Sequence, residues 1–147
     1  MNNTMSRILA LFTLTSAVAL AASPLVIVNP DTLKWQPAAD LPGAEFAVMS
    51  GNPEKHEPFI ARVKLPANFK IPVHTHHINE YDTVISGALY LGTGAKFDAD
   101  HTQKISAGCF VMIPAKVKHY IFTKEETVLQ VNGMGPWGMV YKKKVDS

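Results

Sequence analysis

The sequence predicts an all-β fold, a sandwich or barrel of the jelly-roll kind, and three observations carry that reading. Its 147 residues include ten prolines and nine glycines, too much punctuation for long helices. Beyond the N-terminal segment no stretch shows apolar residues at the 3.6-residue helical period. Short apolar runs recur instead about every eight to twelve residues between turn signals, the spacing of a β sandwich or barrel.

Taken in order, the expected strands are 25–28, 45–50, 59–65, 70–76, 81–86, 88–92, 103–105, 110–113, 119–123, 127–132 and 138–142. The first, Leu25-Val26-Ile27-Val28, is an apolar β-branched run stopped by Asn29-Pro30. Ser86-Gly87-Ala88 reads as a tight reversal and Lys124-Glu125-Glu126 as a charged hairpin turn. Residues 108–113 read as a buried strand ended by Pro114, and His119 opens the next one. No propeller or solenoid repeat and no low-complexity linker interrupts the series.

The N-terminus reads as a signal peptide over residues 1–21: Arg7 supplies the positive n-region, residues 8–18 the apolar h-region, and Ala19-Leu20-Ala21 a small-x-small cleavage site. The apolar stretch is too short to span a membrane, so the mature chain is expected to be exported, periplasmic or secreted, with no membrane span. Residues 22–147 then form a single domain of about 126 residues with one core. The formal charge of +2 falls to about +1 without Arg7, too balanced for a nucleic-acid surface. Lys142-Lys143-Lys144 reads as a solvated tail.

Chemistry concentrates in four residues. In Pro72-Val73-His74-Thr75-His76, alternation along an extended strand puts His74 and His76 on one face while Thr75 and His77 point the other way. Glu80 follows closely enough to turn at the strand end and bring up a carboxylate oxygen, and His119 is the candidate for a third imidazole. Any one of these histidines alone would read as an ordinary packed residue; the spacing of the group points to metal. Nitrogen and oxygen donors without thiolate suit one divalent transition ion (iron, manganese, nickel, copper or zinc) and leave positions open for water or substrate. Glu80 doubles as the candidate catalytic residue, read first as a ligand and as a general base if it leaves the ion. No further charged residue is seen to accompany the site. Tyr120 alternates away from His119, Tyr81 is left open, and His56, His77 and His101 read as surface residues. Cys109, the only cysteine, reads as a small core residue.

These residues resemble the two motifs of the cupin superfamily. His74, His76, Glu80 and Gly87 match His-x-His-x3,4-Glu-x6-Gly, and Gly108, Pro114 and His119 match Gly-x5-Pro-x-Gly-x2-His-x3-Asn. Asn68, Lys116 and Thr123 depart, standing where the motifs have glycine, glycine and asparagine; a side chain at Lys116 carries a steric cost if φ is positive. The resemblance runs from about residue 35 to residue 141 and is nearest to small single-domain exported bacterial cupins. It implies a double-stranded β-helix, a metal, and commonly a homodimer. The apolar run 25–28 is the candidate for that interface, its alternative being an ordinary strand of its own barrel. Redox iron in a dioxygenase is the commonest catalytic theme of that superfamily. Two function classes stay open, a metal-dependent oxygenase acting on a small organic molecule and a non-catalytic exported protein that binds a metal or small ligand.

Overall fold

The structure is a computed structural model that describes residues 25–141. The leader and the Lys142-Lys143-Lys144 run lie outside the described residues. The strands are β1 (Gln36–Pro37), β2 (Glu45–Ser50), β3 (Pro58–Leu65), β4 (Lys70–Thr75), β5 (Glu80–Ser86), β6 (Ala88–Thr93), β7 (Gln103–Ser106), β8 (Phe110–Ile113), β9 (His119–Thr123), β10 (Thr127–Met134) and β11 (Val140–Tyr141). Two short 3-10 turns, Pro30–Thr32 and Ala99–His101, are the only helical elements among the described residues, so no described helix is long and apolar enough to cross a membrane.

The strands form two antiparallel sheets, ordered β1-β2-β3-β10-β5-β8 and β11-β4-β9-β6-β7. From β4 to β10 the chain repeatedly leaves one sheet for the other, which is the jelly-roll double-stranded β-helix that the sequence predicts. Alternation along β3 turns Phe59, Ala61, Val63 and Leu65 inward, where they meet Ile71, Leu89 and Ile121 of the second sheet in a single core. On β9, His119, Ile121 and Thr123 face this interior. Tyr120 faces outward, as expected, but is buried there beneath Phe97, with its hydroxyl donating to the Asp98 carbonyl at 2.9 Å.

Several expectations need correction. Residues 25–28 are not a barrel strand: Leu25 is 87 % exposed and no sheet edge takes the segment up. Lys124-Glu125-Glu126 is not a hairpin turn, because β9 and β10 belong to different sheets and the segment carries the chain between them. β8 is an edge strand and not a buried one; Phe110 is 61 % exposed, Met112 is also exposed, and only the alternate side chain Ile113 is buried. Cys109 lies at the corner before that edge and is exposed.

The motif positions that lack glycine keep the glycine backbone. Asn68 has φ +58° and Lys116 φ +66°. Lys116 is the third residue of a turn closed by Val117 N–H to Pro114 O, the position at which a type II turn requires positive φ. Its N–H donates to the His76 carbonyl at 2.9 Å, tying the turn to the first motif. Thr123, in place of asparagine, donates its hydroxyl to Pro66 O and accepts from Phe69 N–H, so it clamps the turn around Asn68. Left-handed backbone costs an L-residue roughly 1–2 kcal/mol, part of which glycine returns as greater freedom of the unfolded chain. Lys116→Gly is therefore expected to raise stability by about 0.5–1 kcal/mol and Lys116→Val to lower it, read as opposite shifts of the urea midpoint; equal midpoints would contradict a strained turn.

Candidate metal centre

The site forms where the chain crosses between sheets, at the end of β4 and the start of β5. Simple alternation would place Ile71 and His74 on opposite faces, yet both are buried. A break of register between them in the β4–β9 ladder, at Pro72-Val73, resolves this, since a bulge re-aims the residues that follow. Proline, which has no N–H for the ladder, suits such a place. His74 then stands directly opposite His119 on β9. His76 lies just beyond β4 and remains buried on the same side, whereas His77 is exposed.

Three backbone carbonyls fix the rings. Nδ1 of His74 lies 2.8 Å from Pro72 O, that of His76 2.8 Å from Gly138 O, and that of His119 3.0 Å from Val117 O. A carbonyl only accepts, so each Nδ1 carries the proton, and in a neutral ring each Nε2 is left as a bare lone pair. The ring centroids are 4.1 to 5.3 Å apart, and one donor nitrogen from each ring lies within 4.8 Å of the others. Burial lowers the pKa of all three, His74 to about 3, with the neighbouring His119 adding to the shift at His74. Nε2 of His119 is buried without a hydrogen-bond partner. Three neutral donors turned toward each other, one of them orphaned, fit a metal ion: the cation would satisfy every lone pair that the fold leaves bare.

Glu80 approaches from the opposite sheet. Its Oε2 is 3.2 Å from His76 Nε2, and its Oε1 accepts from Trp137 Nε1 at 2.9 Å. Burial raises the Glu80 pKa, against the opposing effect of the Trp137 bond, while His76 is held neutral. Burial thus disfavours the charged form of both partners, and a cation at the imidazoles would favour the carboxylate. The structure thus gathers His74, His76 and His119 into one donor group and sets Glu80 against its edge. His56, His77 and His101 are exposed, and His101 pairs with Asp98 at 2.8 Å.

Two residues of the site escaped sequence reasoning. Asp82, two positions after Glu80 on β5, is buried, lines the same cavity, and leaves Oδ1 without a partner; burial and the Glu80 charge raise its pKa well above the ordinary value. This corrects the expectation that no other charged residue accompanies the site, and strand alternation from Glu80 was the signal that could have found it. Trp137 had no local signal, because it reaches Glu80 from the far end of the chain. The cavity beside these groups measures about 30 Å³, room for an ion's waters or a diatomic molecule.

The fold is that of the cupins. Solved structures agree on the fold. An RmlC-like cupin from Shewanella frigidimarina is 15 % identical, with a TM-score of 0.58 over 73 % of this chain and 87 % of that one. The polyketide cyclase RemF from Streptomyces resistomycificus is 17 % identical, with a TM-score of 0.65 over 82 % and 89 %. A sugar phosphate isomerase of the cupin superfamily from Silicibacter pomeroyi is 17 % identical, with a TM-score of 0.61 over 80 % and 82 %. The chain belongs to the family described as Domain of unknown function (DUF4437), whose model matches residues 15–139. No curated protein sequence matches it.

The buried rings set a pH dependence. Unfolded, His74 takes up a proton near pH 6.5; folded, only near 3, so the unfolded chain binds more protons in that interval. Stability of the metal-free protein is complete above pH 6.5 as far as this residue is concerned, and falls as pH drops toward 3, by up to about 1.4 kcal/mol per pH unit. Denaturant midpoints measured from pH 7 to 5 are expected to fall more steeply for the wild type than for His74→Asn; parallel curves would show that His74 is not buried as a neutral ring.

Proposed function

We propose that this protein is a metal-dependent enzyme of the cupin fold, an oxygenase acting on a small organic molecule, exported by residues 1–21 and working as a homodimer. The observation that carries the reading is the convergence of three neutral imidazoles whose Nδ1 protons are all committed to backbone carbonyls, with the His119 Nε2 buried and unpartnered. A divalent transition ion (iron, manganese, nickel, copper or zinc), held by His74, His76 and His119 with Glu80 beside them, would supply Lewis acidity and, if redox-active, electron transfer to dioxygen.

The chain's own groups would hold and shield that centre. Trp137 holds one Glu80 oxygen and leaves the other facing His76. Asp82 adds a second carboxyl to the cavity, which favours chemistry over mere storage of an ion. Leu41, Ile71, Ile121, Leu129 and Met139 line the remainder and keep bulk water out.

Metal analysis after anaerobic purification tests the centre. His74→Ala, His76→Ala and His119→Ala are each expected to lower metal content at least about ten-fold, since loss of even an outer-shell partner costs a metal site about 10–100-fold in affinity, while His77→Ala keeps it. A full site in His76→Ala, or an empty one in His77→Ala, would overturn the ligand set. Oxygen uptake on adding a phenol or a diketone to the iron-loaded protein is expected; metal retention without uptake would favour the non-catalytic binding reading.

The homodimer is supported by apolar surface that the barrel leaves bare. Leu25, Val26 and Ile27 are exposed, as are Tyr81 and its cross-strand partner Met112. Light scattering is expected to show a dimer for residues 22–147 and a monomer for residues 29–147. A monomer in both rejects the dimer; a dimer in both rejects the part given to residues 25–28.

A further inference from the structure

A second space adjoins the metal cavity. It is a cleft of about 180 Å³ bounded by residues 38–41, Phe46, Pro53 and Glu54 on one side and by residues 137–139 on the other. Leu41, Val63, Trp137 and Met139 line both this cleft and the small cavity that holds His74, His76 and Glu80. One of these shared residues, Met139, is an unbranched chain that repacks easily. The cavity at the imidazoles, about 30 Å³, is too small for a ring compound, whereas an engineered cavity of about 150 Å³ is enough for benzene.

The cleft also has a charge preference. Its lining is mainly Ala38, Ala39, Leu41, Phe46, Trp137 and Met139, and among the described residues the only ionisable side chains on it are Asp40 and Glu54. A carboxylate or phosphate entering there would leave water, meet two like charges and find no cation in the described lining.

We propose that this cleft seats the organic substrate of the neighbouring centre and selects a small uncharged molecule of about one substituted ring, excluding carboxylates and phosphates. The inference rests on the reading of the three imidazoles as a metal centre and adds the class of substrate to it. Ring atoms against Trp137 and Met139 lie one side-chain layer from the donor nitrogens, so a modest shift of Met139 joins the two spaces.

The test uses Trp137 as its own reporter. The chain has two tryptophans, so Trp35→Phe leaves Trp137 alone, and nitroaromatic probes quench it on contact. Titration of the metal-free Trp35→Phe protein with 4-nitrobenzyl alcohol is expected to give saturable quenching, and 4-nitrobenzoate to bind at least about ten-fold more weakly, a difference of about 1.4 kcal/mol. Adding Ala39→Phe is expected to weaken the alcohol about ten-fold. Adding Asp40→Asn with Glu54→Gln should instead bring the benzoate to within about three-fold of the alcohol. Benzoate binding as tightly as the alcohol, or an unchanged gap in the Asp40/Glu54 variant, would overturn the proposal. The titration needs no metal, so the two readings fail separately: selective binding in a chain that never retains metal removes the centre and keeps the cleft, and metal retention without selective binding does the reverse.

Discussion

Burying three imidazoles with their unprotonated nitrogens facing one another is the constraint on which the rest of this structure depends. Each ring gives up water, which lowers its pKa, and facing lone pairs repel unless a cation is shared between them. The fold offsets part of this through three backbone carbonyls, one for each Nδ1. Those carbonyls come from a bulge in β4, from the turn before β9 and from the segment before β11, so the topology has to bring three separated stretches of chain to one place. The double-stranded β-helix does so because β4 and β9 are neighbours in one sheet, while β5 carries Glu80 and Asp82 across from the other.

Much of this was legible in the sequence, and the reasons for success and failure are physical. Strands β2, β8 and β9 follow the expected limits, and most others differ only at their ends, because turn residues at Gly51, Gly87 and Pro114 mark where pairing must stop. Gly87 is bound to its place twice over, by φ of +72° and by the Glu126 carbonyl, which a Cβ there would strike. The His-x-His pair was legible because the two rings lie beyond the bulge, where period-2 alternation holds. The bulge itself was not, since Ile71 and His74 facing the same way is a property of the pairing with β9 and not of β4. Residues 25–28 failed for a related reason: β-branched composition shows that a segment can be a strand, and only a free sheet edge makes it one.

Trp137 and Asp82 were missed for different reasons. Asp82 follows from the same alternation that orients Glu80, two positions on along β5 and on the same face. Trp137 depends on a contact with Glu80 across 57 residues of chain, which no local pattern encodes. Lys116 shows the converse. The motif asks for glycine, the sequence supplies lysine, and the backbone keeps φ at +66° because the bond from its N–H to His76 O and the turn closed on Pro114 determine it. The site's geometry outweighs the local preference of the residue.

The segment at 137–141 borders both the centre and the neighbouring cleft. Trp137 donates to Glu80, Gly138 accepts from His76, and Tyr141 lies opposite His74 in the β4–β11 pair with its ring 5.9 Å away. Three of the four candidate ligands are thus touched by five consecutive residues, two of which, Trp137 and Met139, also form the wall of the cleft. A molecule that moves Trp137 or the backbone at Gly138 would alter the hydrogen bonds that orient Glu80 and His76. Linkage then acts in both directions: whatever factor a molecule in the cleft applies to the affinity for an ion, the ion applies to the affinity for that molecule. Such an arrangement would couple occupancy of the cleft to the orientation of Glu80 and His76 through two hydrogen bonds, with no requirement that the sheets themselves move.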